Sequence, residues 1–370
     1  MPGPTVEIAN PIRTETHVVS LEPAINAFNS LSLLNKAEYL YGLDDWVTRT
    51  LAAMPSEQLH THRVVFWGLY YAIEPRRSYP SFAAYLGDLE RQAPVTLRDR
   101  VLEAYARFPL LKSVADDPSH QPAPTDAKSL LADSRVYLQY LSERFHSEHY
   151  DEAIELESHR WMNDPAGMKD LIVSHVRAMW NEYMADEWER TRRLLADCVE
   201  AYRQIDLSGL SSLEAAQKVV GRELDEHWQK MLKTAQRVIF VPSAHVGPYL
   251  MKIGVDQTLY MLFGARQPAG VLGTSPDLGR SELLVRLVAL ADDTRLRILD
   301  LLARRGEMCS PDIIRELDLS QSAASRHLQQ LSATGYLTER RREGAKCFSL
   351  NVEQIDHTFG ALARFLRKTG

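Results

Sequence analysis

A chain of 370 residues, 45% hydrophobic and 25% charged, holds enough apolar material for a sizeable core and too much to stay disordered. Its length favours two or three domains over one. No stretch is long and apolar enough to suggest a transmembrane helix, and the start, Met1 to Glu7, lacks the basic and apolar segments of a secretory signal. Cys198, Cys309 and Cys347 are too few and too scattered for a disulfide framework, and they fit a reducing cytoplasm.

The net charge of -6 is unevenly spread. Residues 281–370 hold 14 Lys+Arg against 12 Asp+Glu, whereas the preceding residues hold 29 against 37. The positive excess therefore lies in the last quarter. The acidic remainder limits indiscriminate attraction to phosphate, the sequence-independent part of nucleic-acid affinity.

In chain order, Val6, Ile8, Val18, Val19 and Leu21 alternate around Asn10-Pro11 and read as a short hairpin. From about Pro23 to Arg107 the pattern is mostly helical, punctuated by Pro55, Pro75, Pro80 and Pro94. Residues 116–125, rich in Asp and Pro, form the clearest loop and separate two subdomains or make a long surface connection. Helical patterns follow over roughly 126–147, 150–162, 165–204 and 211–235. Arg237–Val241 and Gln257–Phe263 read as strands, and the Gly- and Pro-rich run 266–279 reads as a domain boundary.

Beyond that boundary the signals are dense. Leu283, Leu284, Leu287 and Val288 recur at helical spacing. Asp292-Asp293 caps a helix whose apolar face is Leu296, Ile298, Leu299 and Leu302, and Gly306 ends it. Met308-Cys309 is long enough only for a strand or turn, and Ser310 is the expected cap of a short helix with Pro311 at its first position. Ser320 caps the next. Ala324, Leu328 and Leu331 share one face of that helix, with Ser322, Ser325, Arg326 and Gln329 opposite. A narrow apolar stripe backed by compact donors and acceptors is what reading base edges from the major groove requires. Gly335 stops the helix, and two strands around Glu343-Gly344 make a hairpin that Arg340, Arg341, Arg342 and Lys346 render basic, suited to the DNA backbone or minor groove. At least one of the three arginines points away from DNA. Ile355, Phe359, Leu362 and Leu366 then place a seam for a partner helix on the last helix.

Three segments, Ala289 to Leu299, Leu319 to Leu328 and Arg341 to Gly344, resemble the ArsR family of bacterial winged-helix regulators. The resemblance covers about a quarter of the chain. It implies a homodimer built on the first and last helices of this domain, bound to a pseudo-palindromic operator in double-stranded DNA. It also implies Ser320, Gln321, Ser322, Ser325, Arg326 and His327 as groove-facing residues. The departures are informative. Arsenic-sensing members carry a Cys-x-Cys near the position of Met308-Cys309-Ser310, where this chain has one thiol. Zinc-binding members need an Asp-x-His and a later His/Glu pair, where this chain has adjacent Asp356 and His357. No metal or cofactor is therefore expected.

Other clusters have plainer readings. Cys309 and Cys347 would face each other across the wing, either as a redox pair or as two small buried apolar residues. His146 and His149, with Glu143 and His159, have metal-ligand spacing but sit on a charge-rich helix. His60 and His62 are a weaker pair. All six tryptophans and 27 of 31 aromatics precede residue 281, where they line a small-molecule pocket or fill a helical core. No nucleophile with its base is visible there, so no enzyme is expected.

The expected fold is mainly α with small β elements: a mostly helical α+β domain over 1–270 and a winged helix-turn-helix over 280–370. The expected function is a cytoplasmic DNA-binding regulator, a repressor, whose N-terminal domain senses a small-molecule effector or a partner, with no role for a membrane. The alternative is an enzyme or protein-interaction module addressed to DNA by the winged helix.

Overall fold

The computed structural model describes residues 16–117, 119–145, 150–265, 280–342 and 345–367. After β1 (His17–Val19) the chain runs through α1 (Pro23–Leu34), α2 (Asp45–Ala53), α3 (Ser56–Arg63), α4 (Tyr70–Ile73), α5 (Phe82–Arg91), α6 (Pro94–Tyr105) and α7 (Lys112–Ala115). Next come α8 (Ala127–Ala132), α9 (Ser134–Ser142), α10 (Glu152–Met162), α11 (Pro165–Met179), α12 (Ala185–Arg203), α13 (Ser212–Val220) and α14 (Glu226–Thr234). Wider π turns join α3 to α4 at Val64–Gly68 and α11 to α12 at Trp180–Met184. The expected helix over 165–204 is thus one rod with a π turn in it. The helix expected over 211–235 breaks where Gly221, at φ 60°, caps α13.

The sheet of this region has the order β1-β2-β4-β3, with β2 (Arg237–Ser243) parallel to β1 and to β4 (Thr258–Gly264), and β3 (Met251–Val255) antiparallel to β4. Val18 and Val19 therefore join a parallel pair with β2, while Val6 and Ile8 of the expected hairpin lie outside the described residues. Alternation along the strands divides two cores. Ile239, Val241, Tyr260 and Leu262 face a large helical core containing Phe28, Leu31, Tyr137 and Ile172. Val238, Phe240, Met261 and Phe263 face a smaller one built on α12, α13 and α14. The loop expected over 116–125 does not divide two cores, since Tyr105 before it, Ala123 within it and Tyr137 and Tyr140 after it share the large core.

The C-terminal region is a winged helix-turn-helix: α15 (Arg280–Leu290), α16 (Asp293–Arg305), β5 (Met308–Cys309), α17 (Ser310–Leu317), α18 (Gln321–Ala333), β6 (Leu337–Arg342), β7 (Ala345–Leu350) and α19 (Val352–Arg367). Its sheet order is β5-β7-β6. Asp292 caps α16 by accepting the Arg295 N–H, and Gly306 closes that helix onto the Leu302 carbonyl. Ile298, Leu302, Ile313, Leu328, Leu331, Tyr336 and Phe348 form a core of their own. α17 starts one residue early, at Ser310 with Cys309 in the cap position, because β5 runs straight into it.

Candidate nucleic-acid interface

Asp318 ends α17 in the left-handed region at φ 50°, and the chain turns directly into α18. Ser320 Oγ accepts the Ala323 N–H at 3.2 Å and caps the helix. Ala324, Leu328 and Leu331 are buried, which turns Ser322, Ser325, Arg326 and Gln329 away from the local core. Ser320, Gln321, Ser322 and Ser325 are exposed, while Arg326 and His327 are half-buried. On the wing Arg340, Arg341, Arg342 and Lys346 are all exposed. Arg341 and Lys346 are cross-strand partners on one face, and Arg340 and Arg342 alternate to the other. Lys346 Nζ lies 3.0 Å from Glu339 Oε1, so part of its charge is already answered.

The α18 face is partly covered, chiefly at Arg326 and His327. It closes one side of a cavity of about 690 Å³ whose other walls belong to the N-terminal region. Arg326 stands over the ring of Tyr41, and the His327 ring lies 5.9 Å from the same ring. Arg222 donates to the carbonyls of Ser332 and Ala333 at the end of α18, and its second nitrogen donates to the Pro248 carbonyl at 3.3 Å. This arrangement suits a helix C-terminus, where carbonyls lack partners and a cation is favoured. Gly42 comes so close that a Cβ there would lie 3.1 Å from Gln330 Nε2, and Gln330 is buried. Sequence reasoning missed Tyr41, Gly42 and Arg222, because nothing local marks a residue that meets a helix more than a hundred positions away.

Burial sets the protonation of several groups near this contact. Burial and the nearby charges of Arg295 and Arg326 lower His327, against the raising effect of Asp292. Lys36 lies exposed at the rim of the cavity, with Met251 Sδ 3.8 Å from its ammonium. On the cavity wall, burial raises Glu155 to about 7, against the stabilising donation from the Tyr137 hydroxyl at 2.7 Å.

The histidine clusters have other partners. Glu143 accepts from His120 at 2.8 Å and from the Ala123 N–H, and His159 Nε2 donates to the Leu130 carbonyl. His146 and His149 lie outside the described residues. His60 pairs with Glu157, while His62 packs against His175 in the core. Asp356 and His357 are exposed on α19, and His357 Nδ1 faces Arg286 at 3.3 Å.

Cys309 and Cys347 are opposite residues in the β5–β7 pair and are joined by a disulfide. This departs from the thiol state expected of a reducing compartment and ties the lead-in of α17 to the wing.

One constellation is invisible in the sequence. Ser30 Oγ lies 2.7 Å from His245 Nδ1, and His245 Nε2 lies 2.8 Å from Glu187 Oε1, with Asp44 nearby. The order resembles a nucleophile, base and acid. Ser30, however, is 1% exposed, and its hydroxyl donates to the Asn26 carbonyl in its own helix. Burial disfavours the Glu187 carboxylate, but His245 and Arg190 outweigh it and hold its pKa at about 2. The network therefore acts as a buried hydrogen-bonded tie between α1, α12 and the segment after β2.

α15 and α19 carry an exposed apolar stripe: Leu284, Val288, Phe359 and Leu366 are each about half exposed or more, and Ile355 and Leu362 are half-buried beside them.

Fold and site together define a winged helix-turn-helix protein of the DNA-reading class. Residues 292–339 match the bacterial regulatory protein, arsR family. The arsenical resistance operon repressor of Staphylococcus xylosus is 36% identical over 76 residues, 20% of this chain and 72% of that protein. The transcriptional repressor SdpR of Bacillus subtilis is 30% identical over 80 residues, 22% of this chain and 88% of that protein. The arsenic resistance transcriptional regulator ArsR1 of Pseudomonas putida is 51% identical over 53 residues, where the chain spans 41% of the relative's length. The chain belongs to the ArsR family. Among the described residues, no helix is long and apolar enough to cross a membrane.

Proposed function

We propose that this protein is a sequence-specific DNA-binding transcriptional repressor, acting in the cytoplasm as a homodimer. One observation carries the reading: a capped α18 with an apolar back and a Ser, Gln and Arg front stands beside an exposed basic wing. Ser320, Gln321, Ser322, Ser325, Arg326 and His327 would enter the major groove, with Arg340, Arg341, Arg342 and Lys346 on the backbone. The repressor names of the relatives support the sign of the effect. The α15–α19 stripe would form the dimer seam. Two domains, 1–270 and 280–370, are supported by the separate core of the winged helix, and the first would sense an effector rather than catalyse. Arg326→Ala with Arg341→Ala is the test. DNA selected from random sequence by the full chain should bind the variant at least tenfold more weakly, with a salt dependence about one contact shallower. Unchanged, salt-sensitive binding by a folded variant would remove these residues from the interface.

A further inference from the structure

We propose that the cavity closed by α18 is an effector site for a planar aromatic carboxylate, and that this ligand and DNA exclude each other because both use the Ser322, Ser325 and Arg326 face. The exclusion rests on α18 being the DNA-reading helix. The ligand site stands on the cavity alone.

At about 690 Å³ the cavity has the size of a small-molecule site. Its inner walls are aromatic, with Phe66, Trp67, Tyr70, Tyr71, Tyr105 and Tyr249 offering ring faces and edges to a flat partner. Its charge is unbalanced. Lys36 enters from the N-terminal wall and Arg326 from α18, and neither has a carboxylate partner among the described residues. Arg326 Nε is buried without an acceptor. Glu155, the carboxyl on the wall, sits beneath the Tyr137 hydroxyl in a setting that favours its neutral form. Two cations at the mouth of an aromatic-walled cavity call for an anion, and ring walls call for that anion to be carried on an aromatic body.

The coupling follows from the shared wall. A carboxylate held partly by Arg326 favours the state in which α18 rests against the N-terminal region. DNA favours the state in which that face has left. A ligand that prefers one state shifts the equilibrium toward it, and each ligand weakens the other by the same factor. For a repressor, the aromatic acid is thus an inducer.

The probes are 2-naphthoate and its neutral counterpart 2-naphthalenemethanol, titrated into the full chain by calorimetry. One naphthoate per chain is expected. Lys36→Met should weaken naphthoate at least tenfold and leave naphthalenemethanol unchanged, Lys36→Arg should restore naphthoate, and Arg326→Ala should weaken it. Saturating naphthoate should weaken DNA binding at least tenfold, with the reciprocal loss of naphthoate affinity when DNA is present. Naphthoate affinity indifferent to Lys36→Met, or a ternary complex with both affinities unchanged, overturns the proposal. A chain that binds naphthoate through Lys36 and Arg326 but binds no DNA overturns the exclusion together with the proposed function and leaves the ligand site standing.

Discussion

The guanidinium of Arg326 lies 5.8 Å from the centroid of the Tyr41 ring. Arg326 is a residue expected to reach DNA, and Tyr41 belongs to the turn after α1. A cation over an aromatic face contributes about 0.5–2 kcal/mol, which is comparable to the roughly 1–3 kcal/mol of a base contact in the major groove. If Arg326 reads DNA as proposed, the N-terminal region and DNA would compete for this one side chain. On that reading the DNA affinity of the full chain would depend on this competition as well as on the operator.

Arg222 holds the far end of the same helix through the Ser332 and Ala333 carbonyls. Charged hydrogen bonds contribute about 1.5–3 kcal/mol each, so Arg222→Ala should release α18 more often. Apparent DNA affinity scales with the fraction of chains able to bind. Fluorescence anisotropy should then show DNA binding about tenfold tighter than wild type. Weaker binding by a folded Arg222→Ala chain would mean that the contact supports DNA binding instead of opposing it.

Phe359 is 52% exposed on α19 next to the similarly exposed Val288 of α15. Phe359→Glu should place a charge in the proposed seam, at a cost of several kcal/mol per dimer. Sedimentation should show a dimer for the wild type and a monomer for the variant, with DNA binding lost alongside. A variant that stays dimeric moves the interface elsewhere.

The Cys309–Cys347 bond spans 38 residues, and closing such a loop restricts the unfolded chain by roughly 3–4 kcal/mol. Cys309→Ala with Cys347→Ala should lower the melting temperature of the winged helix by several degrees. Reductant should reproduce that loss in the wild type and add nothing to the variant. Equal melting of oxidised and reduced wild type would contradict a stabilising bond.

His62 and His175 form a buried pair, with His62 Nε2 donating to the Leu31 carbonyl. Burial, with the neighbouring His175, lowers His62 to about 3, and burial lowers His175 to about 4. Folding therefore favours their neutral forms. Their contribution is complete above the unfolded value near 6.5 and is lost as pH falls towards 4 and 3, because the unfolded chain takes protons that the folded one refuses. Burial raises Glu74 and Glu155 to about 7, and those groups work in the opposite sense, losing stability as pH rises from about 4.5. Urea unfolding of wild type against His62→Gln/His175→Gln isolates the histidines. The wild-type advantage should shrink between pH 6.5 and 4, and a constant difference would contradict the assignment.

Much of the C-terminal region was legible because each boundary carries local chemistry. Asp292 and Ser320 cap their helices, Gly306 and Gly335 adopt positive φ where helices stop, and Leu328 and Leu331 bury where the periodicity places them. The facing of Cys309 and Cys347 was legible from the wing, but whether they bond was not, since register says nothing of oxidation. β3 escaped notice because its pattern carries exposed Lys252 and Gly254 on an edge strand. The contact of α18 with Tyr41 and Arg222, and the assembly of Ser30, His245 and Glu187, join residues far apart in the chain. A face of Ser, Gln and Arg also suits a protein wall as well as a DNA groove, so composition alone could not separate the two.

On the proposed reading α18 has one face and two occupants, the N-terminal region and DNA. Hydrogen–deuterium exchange of the full chain, with and without selected DNA, tests it most directly. DNA should protect residues 320–330 and the wing while exchange around Tyr41 and Gly42 and at the Arg222 turn rises, because their cover has left. Protection of α18 by DNA with no change, or with added protection, around Tyr41 and Arg222 would contradict it.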